Sequence, residues 1–393
     1  MRPDTSEYKN SQLLLLLCND GFTEDQKAMV KRMASEITDW EEFSDLAIDN
    51  GVAAVVNVNI GECGITELIP QKVQNKLEAL KNKTLVRVTF ISAEATEITK
   101  LLEAEGIKMV LLKGLALEYT VYGGRGLRQM NDADVLITPD KAFVAWHLLQ
   151  REGFIARPLK SPLYKRISMC IGNHLPELHR NGISLDIHHR LFQKQGKALA
   201  QRGIEEAQKI EISGTTCFVL PPRIAFLSMI KHIQKHGIKG EFQVRLYLDL
   251  FLMLKYKSEE ILGKDLLSEA EEACISKDLS ATLYILSTYW DIDIPEIYFP
   301  SLSDSEKKKY LSAFMKGLNN PGKIDPERNR DIYEYNLKSV EGAVNKLIFF
   351  AGDVFPSVSF MMERYNKKNL VAILPYYLIR TGKVFWFIRA LIK

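Results

Sequence analysis

The chain has few cysteines, and none of them has a metal-binding spacing. The five cysteines are Cys18, Cys63, Cys170, Cys217 and Cys274. They are scattered and odd in number, and no two are separated by only two residues, which disfavours a disulfide framework and a zinc knuckle. Such cysteine usage fits a reducing compartment, so a cytoplasmic protein is predicted.

Long hydrophobic runs and a strong net charge are also missing. The apolar run at residues 13–17 is too short for a secretion signal or a membrane span, so no integral membrane segment is predicted. The formal net charge of +3 disfavours a strongly basic nucleic-acid binder. A second apolar stretch, at residues 384–388, lies between basic residues. It predicts a docked final helix, with an interfacial membrane helix as the alternative.

What remains is an ordinary globular composition, with 46% hydrophobic and 26% charged residues. A length of 393 residues is enough for two or three domains, each with its own core. Capping and stop signals predict helices over residues 24–35 and 39–49. Residues 71–105 contain neither proline nor glycine and are predicted to form one long helix or two consecutive helices. After Pro221-Pro222 the pattern again predicts mostly helix.

The middle of the chain has a different sequence pattern, in which short apolar runs alternate with helical stretches. Strands are predicted over residues 107–112, 132–137 and 183–188, the last after an Asn181-Gly182 hairpin turn. The predicted fold class is therefore α+β, with a small mixed-sheet core flanked by helical regions. The predicted divisions are 1–106 for the N-terminal helical region, 107–220 for the catalytic core and 221–393 for the C-terminal helical region.

Three aspartates carry the main chemical signal. Asp132 and Asp134 lie two apart on a predicted strand, so their side chains point to the same side. Two carboxylates on one face repel each other unless a cation lies between them. Asp186 lies between Leu185 and Ile187, which point the other way, and an ionised carboxylate there is costly without a partner. The pattern predicts a hard divalent cation bound by all three aspartates.

A turn that could bind phosphate follows the first predicted strand. Lys113-Gly114 closes that strand and precedes a helix, whose N-terminus presents free N–H groups. Glycines at 123, 124 and 126 indicate a mobile loop before Arg128, which could reach phosphate oxygens. A plain strand-to-helix turn with surface cations is the alternative, and the GxxxxGK[ST] loop is absent.

Histidines form a weaker signal. His188 follows Asp186 by two residues and is predicted to lie on the same side as an orienting group, or else as a packed histidine. His232 and His236 are four apart on a predicted helix, a spacing that can bind zinc, although a packing role is favoured because HExxH is absent. The lysines nearby make this helix locally basic, which suits a phosphorylated acceptor or a solvated face.

Three segments together resemble a known family. They are LLKG at residues 111–114, RQMNDADVLI at residues 128–137 and LDIH at residues 185–188. They are similar to the core of an uncharacterised bacterial nucleotidyltransferase family of the DNA polymerase β-type superfamily. The resemblance implies a mixed sheet that holds a nucleotide between the Lys113-Gly114 turn and the DxD strand. One departure is that the wider superfamily usually has Gly-Ser at this turn.

The resemblance implies metal-dependent transfer of a nucleoside monophosphate from a nucleoside triphosphate, with Mg²⁺ or Mn²⁺ as the cofactor. Asp132, Asp134 and Asp186 are the predicted catalytic and metal-binding residues, in a two-metal displacement at the α-phosphorus. Asp186 is also a candidate proton acceptor. The predicted nucleotide-binding residues are Lys113, Gly114, Arg128 and His188.

The acceptor and the oligomeric state stay open at this point, since a small molecule, an RNA and a protein side chain all suit the same chemistry. Two other functions also fit parts of the pattern. A glycosyltransferase uses DxD to bind a nucleotide-sugar, but the helical surroundings leave little room for its larger sheet. A degenerate module would bind nucleotide without turnover, which the altered turn favours and the three aspartates disfavour.

Overall fold

The computed structural model describes residues 8–159, 161, 163, 167–169, 172–192, 197–299, 302–321, 334, 336–338, 340 and 342–380. The apolar stretch at residues 384–388 lies outside the described residues. The α-helices are α1 Lys9–Leu17, α2 Glu24–Ala34, α3 Trp40–Asp49, α4 Ala53–Glu62, α5 Gln71–Ala104, α6 Lys113–Thr120, α7 Pro139–Arg151, α8 Lys197–Glu205, α9 Pro222–Lys239, α10 Val244–Ile261, α11 Leu266–Glu272, α12 Ser276–Tyr289, α13 Asp304–Leu318, α14 Ala343–Val354 and α15 Val358–Arg364.

Local sequence signals explain where several helices begin. The Thr23 hydroxyl accepts a hydrogen bond from the Gln26 backbone N–H, and the Gln26 side chain accepts one from the Thr23 N–H, so α2 begins in a capping box. Pro139 occupies the first turn of α7, where a missing N–H costs nothing. The 34-residue α5 contains neither proline nor glycine, which lets it run without a break.

A seven-stranded mixed sheet forms the centre of the fold, in the order β3-β4-β5-β2-β1-β7-β6. The strands are β1 Val110–Leu112, β2 Asp132–Leu136, β3 Ile155–Ala156, β4 Leu178–Arg180, β5 Ile183–His188, β6 Gln208–Ile212 and β7 Thr215–Val219. Strand β2 pairs parallel to β5 and antiparallel to β1, while β7 pairs parallel to β1. The predicted α+β class with a mixed sheet is confirmed.

The two faces of the sheet meet different cores. Ala133 and Val135 of β2 face a core that α5 and α7 complete. Leu136 of the same strand faces the other way, toward a larger core that joins the N-terminal helices to the C-terminal ones. Because the side chains of a strand alternate, Asp132 and Asp134 lie on the face of Leu136. The aspartates are therefore on the side where the C-terminal helices pack.

The N-terminal and C-terminal helical regions also contact each other directly. Asn50 at the end of α3 donates to the Leu318 carbonyl and accepts from the Val244 N–H. Trp290 donates its indole N–H to the Cys18 carbonyl. The N-terminal and C-terminal helical regions thus share one core. The predicted domain boundaries at residues 106 and 220 stay a prediction.

The structure changes several expected elements. Helix α4 and strands β6 and β7 were not predicted, and β1 is three residues shorter at its start than the predicted strand over residues 107–112. The helix expected after the phosphate turn begins earlier than predicted, at Lys113. In the part of the chain that the structure describes, no helix combines the length and apolarity that crossing a membrane needs.

Candidate active site

The parallel pairing of β2 and β5 brings the acidic side chains together. Asp134 lies directly opposite Asp186, and Leu136 lies opposite His188, so all four share one face of the sheet. One ligand atom from each of Asp134, Asp186 and His188 lies within 4.8 Å of the others. Among the described residues, this is the only group of three His, Cys, Asp or Glu side chains with such spacing.

Asp132 lies on the same face but outside that group. It is the first residue of β2 and is exposed, two residues before the buried Asp134. Although the residue as a whole is exposed, its carboxyl group lies at the cleft edge, where partial desolvation and the nearby Asp134 carboxylate raise the pKa of Asp132. The three aspartates were expected to lie close together. Asp134 and Asp186 do so, but the third member of the group is His188 and not Asp132.

Asp134 is held by two side chains. Its Oδ1 accepts a hydrogen bond from Lys113 Nζ at 2.6 Å and contacts His188 Nε2 at 2.7 Å. Although burial acts in the opposite direction, the Lys113 ammonium and the His188 hydrogen bond hold the pKa of Asp134 well below its usual range. Burial and the Lys113 charge lower the pKa of His188 to about 3, so its imidazole is neutral at pH 7. Asp134 is thus an ionised carboxylate beside a neutral imidazole.

Asp186 differs from Asp134, because its carboxyl group makes no hydrogen bond or ion pair with any residue that the structure describes. Burial and the neighbouring Asp134 carboxylate raise the pKa of Asp186 to about 7. The two carboxyl groups therefore repel each other in the protein alone. A divalent cation beside both of them would remove that repulsion and favour ionised Asp186.

The turn before α6 has an unusual backbone. Lys113 has a φ of 45°, in the left-handed region that residues other than glycine rarely adopt. Its ammonium group is bound to Asp134, and its backbone starts α6, where Gly114 follows. A Cβ at position 114 would overlap Arg128 Nη1, so only glycine allows this arginine to lie against the turn.

Arg128 forms a buried ion pair with Asp249 on α10. Asp249, which is fully buried, accepts hydrogen bonds from Arg128 Nε at 2.9 Å and Nη2 at 2.7 Å, and from the Tyr122 hydroxyl at 2.8 Å. The backbone N–H groups of Gly126 and Arg128 donate to a second buried carboxylate, Glu118. The loop before β2 is thus fixed on both sides, and Arg128 Nη1 remains directed at Gly114.

Helix α9 forms the wall opposite the aspartates. One of its faces presents Lys231, His232, Lys235, His236 and Lys239 to a cleft of about 390 Å³. The three lysines make no ion pair with the described residues. Burial and the Lys113 charge lower the pKa of Lys235 and hold the pKa of His232 well below its usual value. The cleft therefore has carboxylates on the sheet side and cations on the helix side.

The predicted site residues line the cleft, but the sequence did not reveal their partners. Lys113, Gly114, Arg128 and His188 all line it, together with the three aspartates. Arg128 uses two of its three guanidinium nitrogens on Asp249 rather than on the cleft. Asp249 was not among the predicted site residues. An aspartate within the apolar run LYLDLFLML is a signal for a buried ion pair, since a buried charge needs a partner.

One comparison with known protein families gives a match over more than half of the chain. A family model described as an uncharacterised nucleotidyltransferase matches residues 36–291, which is more than half of the chain. No curated protein matches the chain.

Two solved structures show a weak overall likeness. The antibiotic-resistance factor ANT(2'')-Ia aligns at 11% identity and a TM-score of 0.34, over 49% of this chain and 97% of that one. An antigenic nucleotidyltransferase-like protein from Paracoccidioides brasiliensis aligns at 18% identity and a TM-score of 0.33, over 54% of this chain and 95% of that one. At such scores neither likeness bears on substrates.

Proposed function

Because this chain belongs to the family of uncharacterised nucleotidyltransferases, we propose that it transfers a nucleoside monophosphate from a nucleoside triphosphate to an acceptor hydroxyl. The observation that carries the proposal is the Asp186 carboxyl group, which has no hydrogen-bond or ion-pair partner among the described residues and lies beside the ionised Asp134. A protein with no cation to bind would gain stability by replacing such a carboxyl group, because its ionisation in a buried place is costly.

The residues present fit a hard divalent cation such as Mg²⁺ or Mn²⁺. Asp134 and Asp186 supply carboxylate oxygens and His188 supplies a neutral ring nitrogen, all within 4.8 Å of one another. Asp132, on the same face at the cleft edge, is a further ligand in the proposal. The cation would neutralise phosphate charge and make the acceptor hydroxyl more acidic.

The triphosphate would lie between the Lys113-Gly114 turn and helix α9. The N-terminus of α6 offers backbone N–H groups, and Arg128 Nη1 lies against the turn. Lys235 on the opposite wall is partly buried and unpaired among the described residues, so an anion in the cleft would stabilise its charged form. For the Lys113 ammonium to reach phosphate, it must leave Asp134, which a cation beside that carboxylate would allow.

The proposed reaction breaks one bond and forms one. The acceptor oxygen attacks the α-phosphorus, and the bond from that phosphorus to the bridging oxygen breaks. Pyrophosphate leaves with the electron pair of the broken bond. The acceptor proton moves to a carboxylate, and Asp186 is the proposed recipient because it makes no other hydrogen bond with the described residues.

The test is calorimetric titration of the protein with a non-hydrolysable ATP analogue, with and without Mg²⁺. Wild-type protein is expected to bind the analogue about tenfold or more tightly with Mg²⁺ than without it, since a cation held by the aspartates would neutralise phosphate charge. The double variant Asp134→Asn with Asp186→Asn is expected to lose this Mg²⁺ dependence. Equal dependence in the double variant would remove the proposed site.

A matched control and a turnover assay complete the experiment. Asp140→Asn, at the exposed start of α7, replaces the same residue type away from the cleft and is expected to leave binding unchanged. Pyrophosphate release from each NTP, with candidate acceptors added in turn, separates turnover from binding alone. Mg²⁺-dependent binding without release for any acceptor tested supports the degenerate module, and hydrolysis of UDP-sugars instead of NTPs supports a glycosyltransferase.

A further inference from the structure

Two histidines of α9 converge on one point in the cleft. His232 Nε2 and His236 Nε2 lie 3.1 Å apart, and their rings meet edge to face at 72°. Side chains four residues apart on a helix are neighbours, but their ring nitrogens need not face each other. At this separation the two nitrogens either share one hydrogen bond or act as two adjacent ligands of one metal ion, because Zn–N bonds are about 2.0–2.1 Å long.

A carboxylate fixes the orientation of one of these rings. His236 Nδ1 lies 2.5 Å from Glu241 Oε2, just beyond the end of α9. If Nδ1 carries the proton and donates it to this carboxylate, Nε2 keeps its lone pair and points at His232. A carboxylate behind a histidine in this way raises the basicity of the ligating nitrogen and holds the ring. Such an arrangement is not needed for a histidine that only packs.

Both imidazoles are in the form that binds metal. Burial lowers the pKa of His236, and burial with the Lys113 charge holds the pKa of His232 well below its usual value. Neutral imidazoles are ligands for borderline metals such as Zn²⁺, whereas Mg²⁺ prefers oxygen. We propose that His232 and His236 form a second cation site, for a transition metal such as Zn²⁺, on the wall of the cleft opposite Asp134 and Asp186.

The charges around this pair set the strength and the use of the site. Lys235 and Lys239 lie close by on the same helix and repel a cation, while Glu241 offsets one of those charges. The pair supplies two protein ligands, so the remaining coordination positions face the cleft and are open to a phosphate oxygen or a hydroxyl group. The site would therefore hold a ligand against α9 while the sheet holds the proposed Mg²⁺.

The experiment is a Zn²⁺ titration of the full chain by calorimetry, repeated with Co²⁺ by visible absorption, with Mg²⁺ in large excess throughout. Wild-type protein is expected to bind one ion that Mg²⁺ does not displace. His232→Ala and His236→Ala should each weaken that binding by about tenfold or more, and Glu241→Gln by about tenfold, since it removes the carboxylate behind the ring.

Two kinds of variant separate loss of ligands from loss of fold. His147→Ala removes an exposed histidine of α7 outside the cleft and should leave Zn²⁺ binding unchanged. His236→Cys supplies another soft ligand and should keep Co²⁺ binding with an added thiolate charge-transfer band. Zn²⁺ binding that is equal in wild type, His232→Ala and His236→Ala would overturn the proposal, as would absence of binding to the wild type.

The same titration distinguishes this site from the proposed nucleotidyl-transfer site. Asp186→Asn, which should abolish Mg²⁺-dependent nucleotide binding, is expected to leave the Zn²⁺ affinity unchanged. A Zn²⁺ signal lost in Asp186→Asn and kept in the histidine variants would assign the ion to the sheet and contradict the pair on α9. Failure of nucleotide binding with Zn²⁺ binding intact would instead count against the proposed function alone.

Discussion

The fully buried Asp249 and the half-buried Asp186 have opposite surroundings. Asp249 accepts two hydrogen bonds from Arg128 and one from Tyr122, and it is fully buried. Asp186 has no hydrogen bond or ion pair within the described part of the chain, and burial raises its pKa to about 7. A buried carboxylate whose hydrogen bonds are all made within the protein stabilises the fold. A carboxylate without such partners at a cleft is available to bind a ligand.

This difference predicts opposite consequences for the two aspartates. Removal of Asp249 should mainly affect stability, because Arg128 would be left buried without a counter-charge. Removal of the Asp186 charge should mainly affect ligand binding and turnover. Four tests examine the contrast, beginning with the largest expected effect.

The first variant is Asp186→Asn. We expect transfer activity to fall about 10²–10⁴-fold, since the carboxylate is both a proposed metal ligand and the proposed proton acceptor. The measurement is the rate of Mg²⁺-dependent pyrophosphate release once an acceptor is known, with Asp140→Asn as the control that should keep the wild-type rate. A fall of less than about twofold would place the chemistry elsewhere.

The second variant is Asp249→Ala. We expect the free energy of unfolding to fall by about 3–5 kcal/mol, because a buried ion pair loses one partner and the Arg128 charge stays buried. Urea unfolding followed by circular dichroism measures this change. The double variant Arg128→Met with Asp249→Leu removes both charges and should be more stable than Asp249→Ala. An unchanged unfolding midpoint for Asp249→Ala would show that the pair is not structural.

The third test uses pH to examine Asp186 in the metal-free protein. Its pKa is raised to about 7 in the folded chain from a usual value of 3.8, so the folded state keeps a proton that the unfolded state loses between these values. Wild-type stability should therefore fall as the pH rises from 5 to 8. Asp186→Asn cannot ionise, so it avoids this loss of stability. We expect its free energy of unfolding at pH 8 to exceed that of wild type by about 2 kcal/mol, which is about half of the free energy that corresponds to the full pKa shift.

At pH 5 the carboxyl group is mostly protonated in the folded protein but mostly ionised in the unfolded chain, so the difference between the two proteins should be smaller, about 1 kcal/mol. Thermal unfolding with a chelator present makes the comparison at both pH values. If Asp186→Asn were destabilising at pH 8, then the carboxylate would have a partner in the folded protein that offsets its burial.

The smallest expected effect is that of Gly114→Ala. The added Cβ would overlap Arg128 Nη1, and Asp249 prevents the guanidinium from moving away freely. We expect a loss of about 1–2 kcal/mol of stability and weaker binding of the ATP analogue. Gly61→Ala is the control, because nothing lies within 4 Å of its Cβ position in α4, and it should be neutral or slightly stabilising. Equal behaviour of the two variants would contradict the close packing at the turn.

Local signals in the sequence were enough for the strand and turn that carry Asp186. Asn181 and Gly182 both have positive φ angles, 52° and 73°, as the hairpin signal predicts, and β5 runs over the predicted residues 183–188. The long α5 also follows directly from its composition. These features depend on a few neighbouring residues, which a sequence displays.

Features that depend on distant packing were missed or left open. The helix α4 contains β-branched residues that disfavour helix, and it forms because it is buried among the other N-terminal helices. Strands β6 and β7 are joined by a turn at Ser213-Gly214, where both residues have positive φ. The Ser-Gly pair is a turn signal in the sequence, but it did not by itself predict the two strands. The apolar run around Asp249 signals a buried ion pair, but the partner Arg128 lies 121 positions away, so the local sequence does not identify it.

The most direct test of the proposed site is electron paramagnetic resonance of Mn²⁺ in the presence of a non-hydrolysable ATP analogue. Adding wild-type protein is expected to remove the signal of free Mn²⁺ more strongly with the analogue than without it. In the double variant Asp134→Asn with Asp186→Asn, the analogue should add nothing to Mn²⁺ binding. If the analogue strengthened Mn²⁺ binding equally in both proteins, the two aspartates would not be the residues that hold the metal against the triphosphate.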